Sequence, residues 1–220
     1  MPVLLPPDTA VFFDLDGTLL DPAERYWRLH CALVAPHGGP RADQASYWAL
    51  KRERTPLEDV LVRTAPPGVD PAAYHRAWLE RIETTESLRH DRLIPGVRET
   101  LAALGATHPL VLVTLRRQRD HLLAQLTALA LLPAFTAVLT AAPEAADDWR
   151  VKQRLIGASP HCRAGATVVG DTEADLRAGK ALALRTVAVC SGLRSRARLA
   201  AEGPDAILDS VAALRDTGRP

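Results

Sequence analysis

The stretch Ala10-Val11-Phe12-Phe13-Asp14-Leu15-Asp16-Gly17-Thr18 decides how this chain reads. Its first half is a short run of β-branched and aromatic residues with no polar face, the pattern of a strand buried on both sides. Asp14 then stands at the strand's carboxyl end, the edge at which open parallel sheets bind ligands. Gly17 permits a sharp departure from the strand line. An Asp-Gly turn closing a strand uses the same letters. Two carboxylates two positions apart, however, repel one another unless a cation or a shared proton intervenes. A hard, oxygen-seeking ion such as Mg²⁺ answers that need.

Working outward, four more apolar runs read as strands at 110–113, 137–139, 166–169 and 186–189, with a sixth strand at 206–208. Helical spacing fills the gaps at 97–104, 117–132, 151–156 and 172–182, and a terminal helix is expected over 210–215. Residues 141–150 read as a polar loop in which Asp147 and Asp148 are solvated. Strands alternating with helices predict an α/β fold, a Rossmann-like parallel sheet with right-handed crossovers. Residues 21–93 break that alternation. They carry helical patterns at 23–35, 42–51, 56–63 and 71–87 and three of the four tryptophans, as a small bundle with its own core requires. The expected organisation is therefore a core of residues 1–20 and 94–220 with an inserted α-helical cap domain, 21–93. The two chain crossings that flank the insert read as hinges.

Composition narrows the partners. At 220 residues, 47% hydrophobic and 24% charged, the chain is ordinary for a globular protein. A net charge of +1 offers no electrostatic case for nucleic acid or an anionic membrane. No apolar run reaches the length of a membrane span. Cys31, Cys162 and Cys190 fit neither a disulfide framework nor a zinc site, and a cytoplasmic location is expected. Nothing in the sequence sets an oligomeric state. Basic charge is almost all arginine. Only Lys51, Lys152 and Lys180 are lysines, which singles out three positions where a compact ammonium is retained in place of a guanidinium.

Three of the expected strands end in polar groups, at Asp14, Thr114 and Asp171. In a parallel sheet these ends share one edge. Asp14, Asp16, Asp171 and Asp175 supply oxygen ligands, Thr114 a hydroxyl and Lys152 a positive point charge. This set suits phosphoryl transfer, in which catalysis is mostly positioning and charge neutralisation.

At this point the chain resembles the haloacid dehalogenase (HAD) superfamily, in its helical-cap, phosphoglycolate phosphatase-like branch. Phe13-Asp14-Leu15-Asp16-Gly17-Thr18 is similar to the first motif of that family, Val113-Thr114 to the second and Lys152 to the third. Gly170-Asp171-Thr172-Glu173-Ala174-Asp175 is similar to the fourth. The resemblance implies an enzyme that hydrolyses phosphomonoesters through an aspartyl phosphate and acts on a small phosphorylated metabolite. It implies that Asp14 attacks phosphorus, and that Asp16 protonates the leaving oxygen and then deprotonates the attacking water. Mg²⁺ would be held by the carboxylates of Asp14 and Asp171 and the main-chain carbonyl of Asp16, with Asp175 acting through water or orienting other ligands. Thr114 and the Leu115 amide would bind phosphoryl oxygens, and Lys152 would balance charge between nucleophile and phosphate.

One departure stands out. Many phosphatases of the family carry a small or amide residue after the strand-end hydroxyl, whereas Leu115-Arg116-Arg117 follows Thr114 here. Arg116 is expected to be solvated where a helix opens, with contact to a second anionic group on the substrate as the alternative. His30, in the middle of an apolar stripe, is expected to pack in the helical block, a substrate contact being the second reading. Two other functions use the same scaffold. A phosphomutase would pass the phosphoryl group to a sugar, and a silent binding or regulatory protein would not use it. A costly set of buried carboxylates argues against silence.

Overall fold

The computed structural model describes residues 3–6, 8–142 and 148–216. In chain order the strands are β1 (Val3–Leu5), β2 (Val11–Phe13), β3 (Leu20–Asp21), β4 (Arg92–Leu93), β5 (Leu110–Thr114), β6 (Ala137–Thr140), β7 (Thr167–Gly170), β8 (Arg185–Val189), β9 (Ala206–Leu208) and β10 (Leu214–Asp216). The helices are α1 (Ala23–Val34), α2 (Gln44–Arg52), α3 (Leu57–Thr64), α4 (Pro71–Arg81), α5 (Thr85–Leu88), α6 (Val97–Gly105), α7 (Arg119–Ala128), α8 (Trp149–Gly157), α9 (Glu173–Ala181) and α10 (Arg196–Ala201).

The chain forms two compact units, Met1–Asp21 with Leu93–Pro220, and Pro22–Arg92. The first is built on a six-stranded parallel sheet in the order β6-β5-β2-β7-β8-β9. From β2 the chain builds outward through β5 and β6 on one side, then returns to lay β7, β8 and β9 on the other. The order therefore reverses at β2, and this switch point is where a doubly wound sheet opens a crevice at its carboxyl edge. Register aligns Phe13 with Leu112 and Val169, so the residues that follow on all three strands emerge together.

The central strands β2, β5 and β7 are buried along their whole length and mostly apolar because both of their faces are covered. Val11 and Phe13 point to one face and pack with Leu112, Val169, Leu101 of α6 and Leu122 of α7. Phe12 points to the other, with Val111, Val168, Ile156 of α8 and Ala178 of α9. This alternation is the two-residue period of a strand.

Several elements differ from the sequence reading. The helix expected over 71–87 is two helices. The Thr84 hydroxyl donates to the Arg81 carbonyl at 2.9 Å and accepts from the Ser87 N–H at 3.3 Å, closing α4 and capping α5. Helix α7 begins at Arg119 rather than 117. Helix α8 begins at Trp149, inside the expected loop, because the Asp148 carboxylate caps it by accepting from the Arg150 N–H at 3.1 Å; Asp147 lies outside the described residues. Helix α10 was not expected. The terminal helix is replaced by a single 3₁₀ turn, Val211–Ala213, and by β10, which pairs in parallel with β1. Its partner lies about two hundred residues away in sequence, beyond the reach of local periodicity.

The helical unit has its own interior. His30 is fully buried, its Nδ1 2.9 Å from the Tyr74 hydroxyl and its ring stacked on Tyr47 at 4.6 Å between centroids. It is a packing residue, and no substrate can touch it in this structure. Arg25 is equally interior, with Nε 2.9 Å from Asp91 Oδ1 and Nη1 donating to the Ile82 carbonyl at 3.2 Å. Of the three lysines, Lys51 lies over the rings of Tyr26 and Trp78. Lys180 donates to the Glu202 carbonyl and Lys152 enters the site described next.

Candidate active site

Strand β2 delivers Asp14 to the crevice, its N–H donating to the Val169 carbonyl at 2.9 Å as the last rung of the sheet. The chain then turns sharply. The Leu15 carbonyl accepts N–H groups from Thr18, Leu19 and Leu20, and Gly17 N–H donates to the Leu20 carbonyl at 2.6 Å. Gly17 has φ +83°, a conformation only glycine adopts without strain.

Lys152, from the middle of α8, is buried with its ammonium between two carboxylates. Nζ donates to Asp14 Oδ1 at 2.6 Å and to Asp175 Oδ1. Asp175 is in the first turn of α9, where its other oxygen accepts from the Thr172 N–H at 3.1 Å and the Thr172 hydroxyl at 2.7 Å in a capping box. Asp171, fully buried at the end of β7, accepts from the Leu193 N–H at 2.6 Å and the Thr18 hydroxyl at 3.4 Å. Thr114 is buried at the end of β5; its Oγ1 accepts from the Arg116 N–H at 3.3 Å, and Leu115 beside it is half-buried.

Ligand atoms of Asp14, Asp171 and Asp175 lie within 4.8 Å of one another. Burial pushes the Asp14 carboxyl up to about 7 against the pull of Lys152, and Asp175 adds to the rise. Burial, with Asp14 and Asp175 behind it, also holds Asp171 well above the ordinary carboxylate range. Burial opposes the Lys152 charge too, but Asp14 and Asp175 outweigh it and raise the ammonium's pKa. Three carboxylates against one ammonium leave a double negative charge when all are ionised. The donor set is all oxygen and hard, so charge and chemistry both fit one Mg²⁺-like ion.

Asp16 is not part of that cluster. Its carboxylate is one-fifth exposed and is taken by Arg116, whose side chain is only 4% exposed. The expectation that Arg116 is solvated is therefore wrong: an arginine placed just past a strand end is drawn inward by a carboxylate on the neighbouring loop. The sequence reading also missed the loop after β8. Ser191 Oγ donates to the Gly17 carbonyl at 2.7 Å, and Leu193 reaches Asp171 through its main chain, a contact that leaves no side-chain signature. Gly192 lets this loop close on the first one, since a Cβ there would stand 2.0 Å from Asp171 Oδ2 and 2.5 Å from the Gly17 Cα. Gly192→Ala is expected to displace Asp171 and weaken Mg²⁺ binding by ~10–100-fold, the usual cost of disturbing a ligand's support. A Mg²⁺ titration of the purified variant measures it, and an unchanged affinity would contradict the packing role.

A cavity bordered by Thr9, Ala10, Pro109, His161 and Arg163 lies at the opposite edge of the sheet, where β2, β5 and β7 begin.

Comparison with known proteins agrees with this geometry. Residues 11–189 match the family model described as haloacid dehalogenase-like hydrolase. The chain is 28% identical over 209 residues to a phosphoglycolate phosphatase from Synechococcus elongatus, covering 93% of this chain and 94% of that protein. A haloacid dehalogenase-like hydrolase from Streptococcus pneumoniae shares the fold with a TM-score of 0.75 at 20% identity, over 93% of this chain and 95% of that one. So does a predicted phosphoglycolate phosphatase from Haemophilus somnus, with a TM-score of 0.70 at 23% identity and the same coverage. The chain belongs to the haloacid dehalogenase-like hydrolase family.

Proposed function

We propose that this protein is a Mg²⁺-dependent phosphomonoester hydrolase that acts on a small phosphorylated metabolite through an aspartyl phosphate on Asp14. The observation that carries this reading is the convergence of Asp14, Asp171, Asp175 and Lys152 on the crevice at the switch point of the sheet. Such a cluster is expensive unless a dication and a phosphate complete it.

Asp14, Asp171 and Asp175, with the Asp16 carbonyl, are the groups that would hold Mg²⁺. The ion would draw a phosphate into the site and offset its charge. Lys152 keeps Asp14 aligned and balances the negative charge that grows as Asp14 attacks phosphorus. The Thr114 hydroxyl already accepts from the Arg116 N–H, so its own O–H is available to a phosphoryl oxygen. The leaving oxygen takes a proton from Asp16, and Asp16 later removes one from the water that opens the aspartyl phosphate. Atoms balance over the cycle: ester and water become alcohol and phosphate. The helical unit, residues 22–92, would act as the cap that selects the substrate.

No helix among the described residues is long and apolar enough to cross a membrane. The near-neutral charge favours a small phosphorylated substrate over nucleic acid as the partner, and the reading takes the enzyme to be cytoplasmic. A hydrolase is favoured over a mutase because the curated relative matched over 94% of its length is a phosphoglycolate phosphatase. A panel of phosphorylated metabolites including phosphoglycolate, assayed with Mg²⁺ and with EDTA, tests the reading. Phosphate release that needs no metal, or that requires a sugar bisphosphate activator, would overturn it.

Thermal unfolding supplies a second check. Binding a dication requires Asp14 and Asp171 as carboxylates, and both hold protons more tightly than an ordinary aspartate. Binding therefore releases protons and strengthens as pH rises. The gain in Tm from a fixed Mg²⁺ concentration should be larger at pH 8 than at pH 6. An equal or reversed gain would show that these carboxylates do not bind the ion.

A further inference from the structure

We propose that Arg116 is the positioning residue for Asp16, and that hydrolysis of the aspartyl phosphate depends on this pair. The inference rests on the proposed function and deepens it. Nε of Arg116 donates to Asp16 Oδ2 at 2.8 Å and Nη2 to Asp16 Oδ1 at 2.6 Å, a two-point grip of guanidinium on carboxylate. Such a grip belongs to the ionised carboxylate, the form in which Asp16 takes a proton from water, and it fixes orientation as well as distance, because two parallel bonds leave neither plane free to rotate. Arg116 is itself anchored. Nη1 donates to Gln125 Oε1 of α7 at 2.5 Å, and its N–H donates to Thr114 Oγ1 at 3.3 Å. One side chain thus ties the loop after β2 to the loop after β5 and to α7.

The Asp16 main chain does not need this tie. The bonds to the Leu15 carbonyl, the Gly17 turn and the closure of Gly192 on Gly17 already fix the loop. What Arg116 adds is the direction of the Asp16 carboxylate. With one-fifth of the side chain exposed, the carboxylate stays reachable by water. A lysine could supply the charge but not the two-point geometry. A guanidinium spent on Asp16 and Gln125 is also not the receptor for a second anionic group of the substrate.

The test is rapid mixing of the full-length enzyme and Mg²⁺ with p-nitrophenyl phosphate, followed by acid quench to count phosphoenzyme. It uses wild type, Arg116→Ala, Arg116→Lys, Gln125→Leu, Asp16→Asn and the Arg116→Ala/Asp16→Asn double variant. In Arg116→Ala the hydrolysis step should slow by ~10–100-fold, the range for a misplaced reacting group. Phosphoenzyme should accumulate while KM and the phosphorylation step change little. Millimolar guanidinium should restore part of the rate and urea should not. Arg116→Lys should be intermediate and Gln125→Leu milder still; either decides the matter if the alanine variant folds poorly. In the Asp16→Asn background, removing Arg116 should slow hydrolysis no further, because the two act as one unit.

Three results would overturn the inference while leaving the proposed function standing, provided that Asp16→Asn itself traps phosphoenzyme. They are unchanged hydrolysis per folded site in Arg116→Ala, additive slowing in the double variant, and a KM rise confined to phosphate esters that carry a second acidic group. Absence of phosphoenzyme from wild type, with Asp16→Asn turning over normally, would overturn both.

Discussion

Asp16→Asn is expected to release about one nitrophenolate per active site from p-nitrophenyl phosphate and then nearly stop, with phosphate held covalently on Asp14. The residue has two jobs of unequal importance. As an acid it matters only for a poor leaving group: an alkoxide needs a proton, whereas nitrophenolate scarcely does. As a base it is needed whatever the substrate was, because the same water must attack the same aspartyl phosphate. Phosphorylation by the aryl ester should therefore stay fast, while hydrolysis slows by ~10²–10⁴, the worth of a general base. With an alkyl phosphate both steps slow and the burst disappears. Asp14→Asn removes the nucleophile and should show neither burst nor turnover. The one-fifth exposure of the Asp16 carboxylate, against the buried state of Asp14, suits a group that must meet water. If Asp16→Asn shows no burst and no acid-stable phosphoprotein while its fold and Mg²⁺ binding are intact, Asp16 is not the base.

The parts of the site that the sequence disclosed share a physical property. Asp14, Thr114 and Asp171 each end an apolar strand, and a parallel sheet brings such ends to one edge without further information. Lys152 stood out because the chain otherwise prefers arginine, and the structure places its ammonium where a compact charge fits between two carboxylates. The parts that stayed hidden depend on contacts with no periodic signature. Arg116 reads as a solvated residue beside Arg117, and only the fold brings it to an aspartate one hundred residues earlier. Leu193 contributes a main-chain N–H, for which the side chain is irrelevant. Strand β10 needs β1, from the other end of the chain, to be a strand at all. In the helical unit the stripe around His30 was legible as a packing face, but the burial of Arg25 against Asp91 was not, since arginine ordinarily reports solvent.

The largest loss of stability is expected from Lys152→Met, which keeps most of the length of the side chain and removes its charge. In wild type this ammonium lies between Asp14 and Asp175, with both partners buried. Its removal leaves three adjacent buried carboxylates with no cation of their own. Breaking a buried ion pair from one side costs about 3–5 kcal/mol, and the cost should depend on pH in a definite direction. The folded-state pKa of Asp14, about 7, is already above its ordinary value of 3.8. The native state thus holds a proton between these values that the unfolded chain has given up, and stability falls as pH rises through that window. Lys152 opposes this rise, so without it the pKa of Asp14 climbs further and the fall continues to higher pH. The favourable contribution of Lys152 itself, whose folded pKa is raised, persists throughout this range and is lost only in strong alkali. The gap between wild type and Lys152→Met should accordingly be small near pH 5, where the carboxylates can protonate, and widest near pH 8. Urea unfolding of the metal-free proteins at the two pH values measures it. Lys152→Met/Asp175→Asn, which deletes one of the opposing charges, should recover part of the loss at pH 8. Activity should fall by ~10²–10³ or more, the usual cost of removing one preorganised charge from a reacting centre. Equal stability of Lys152→Met and wild type at pH 8 would mean that the three carboxylates do not share the site as charged groups.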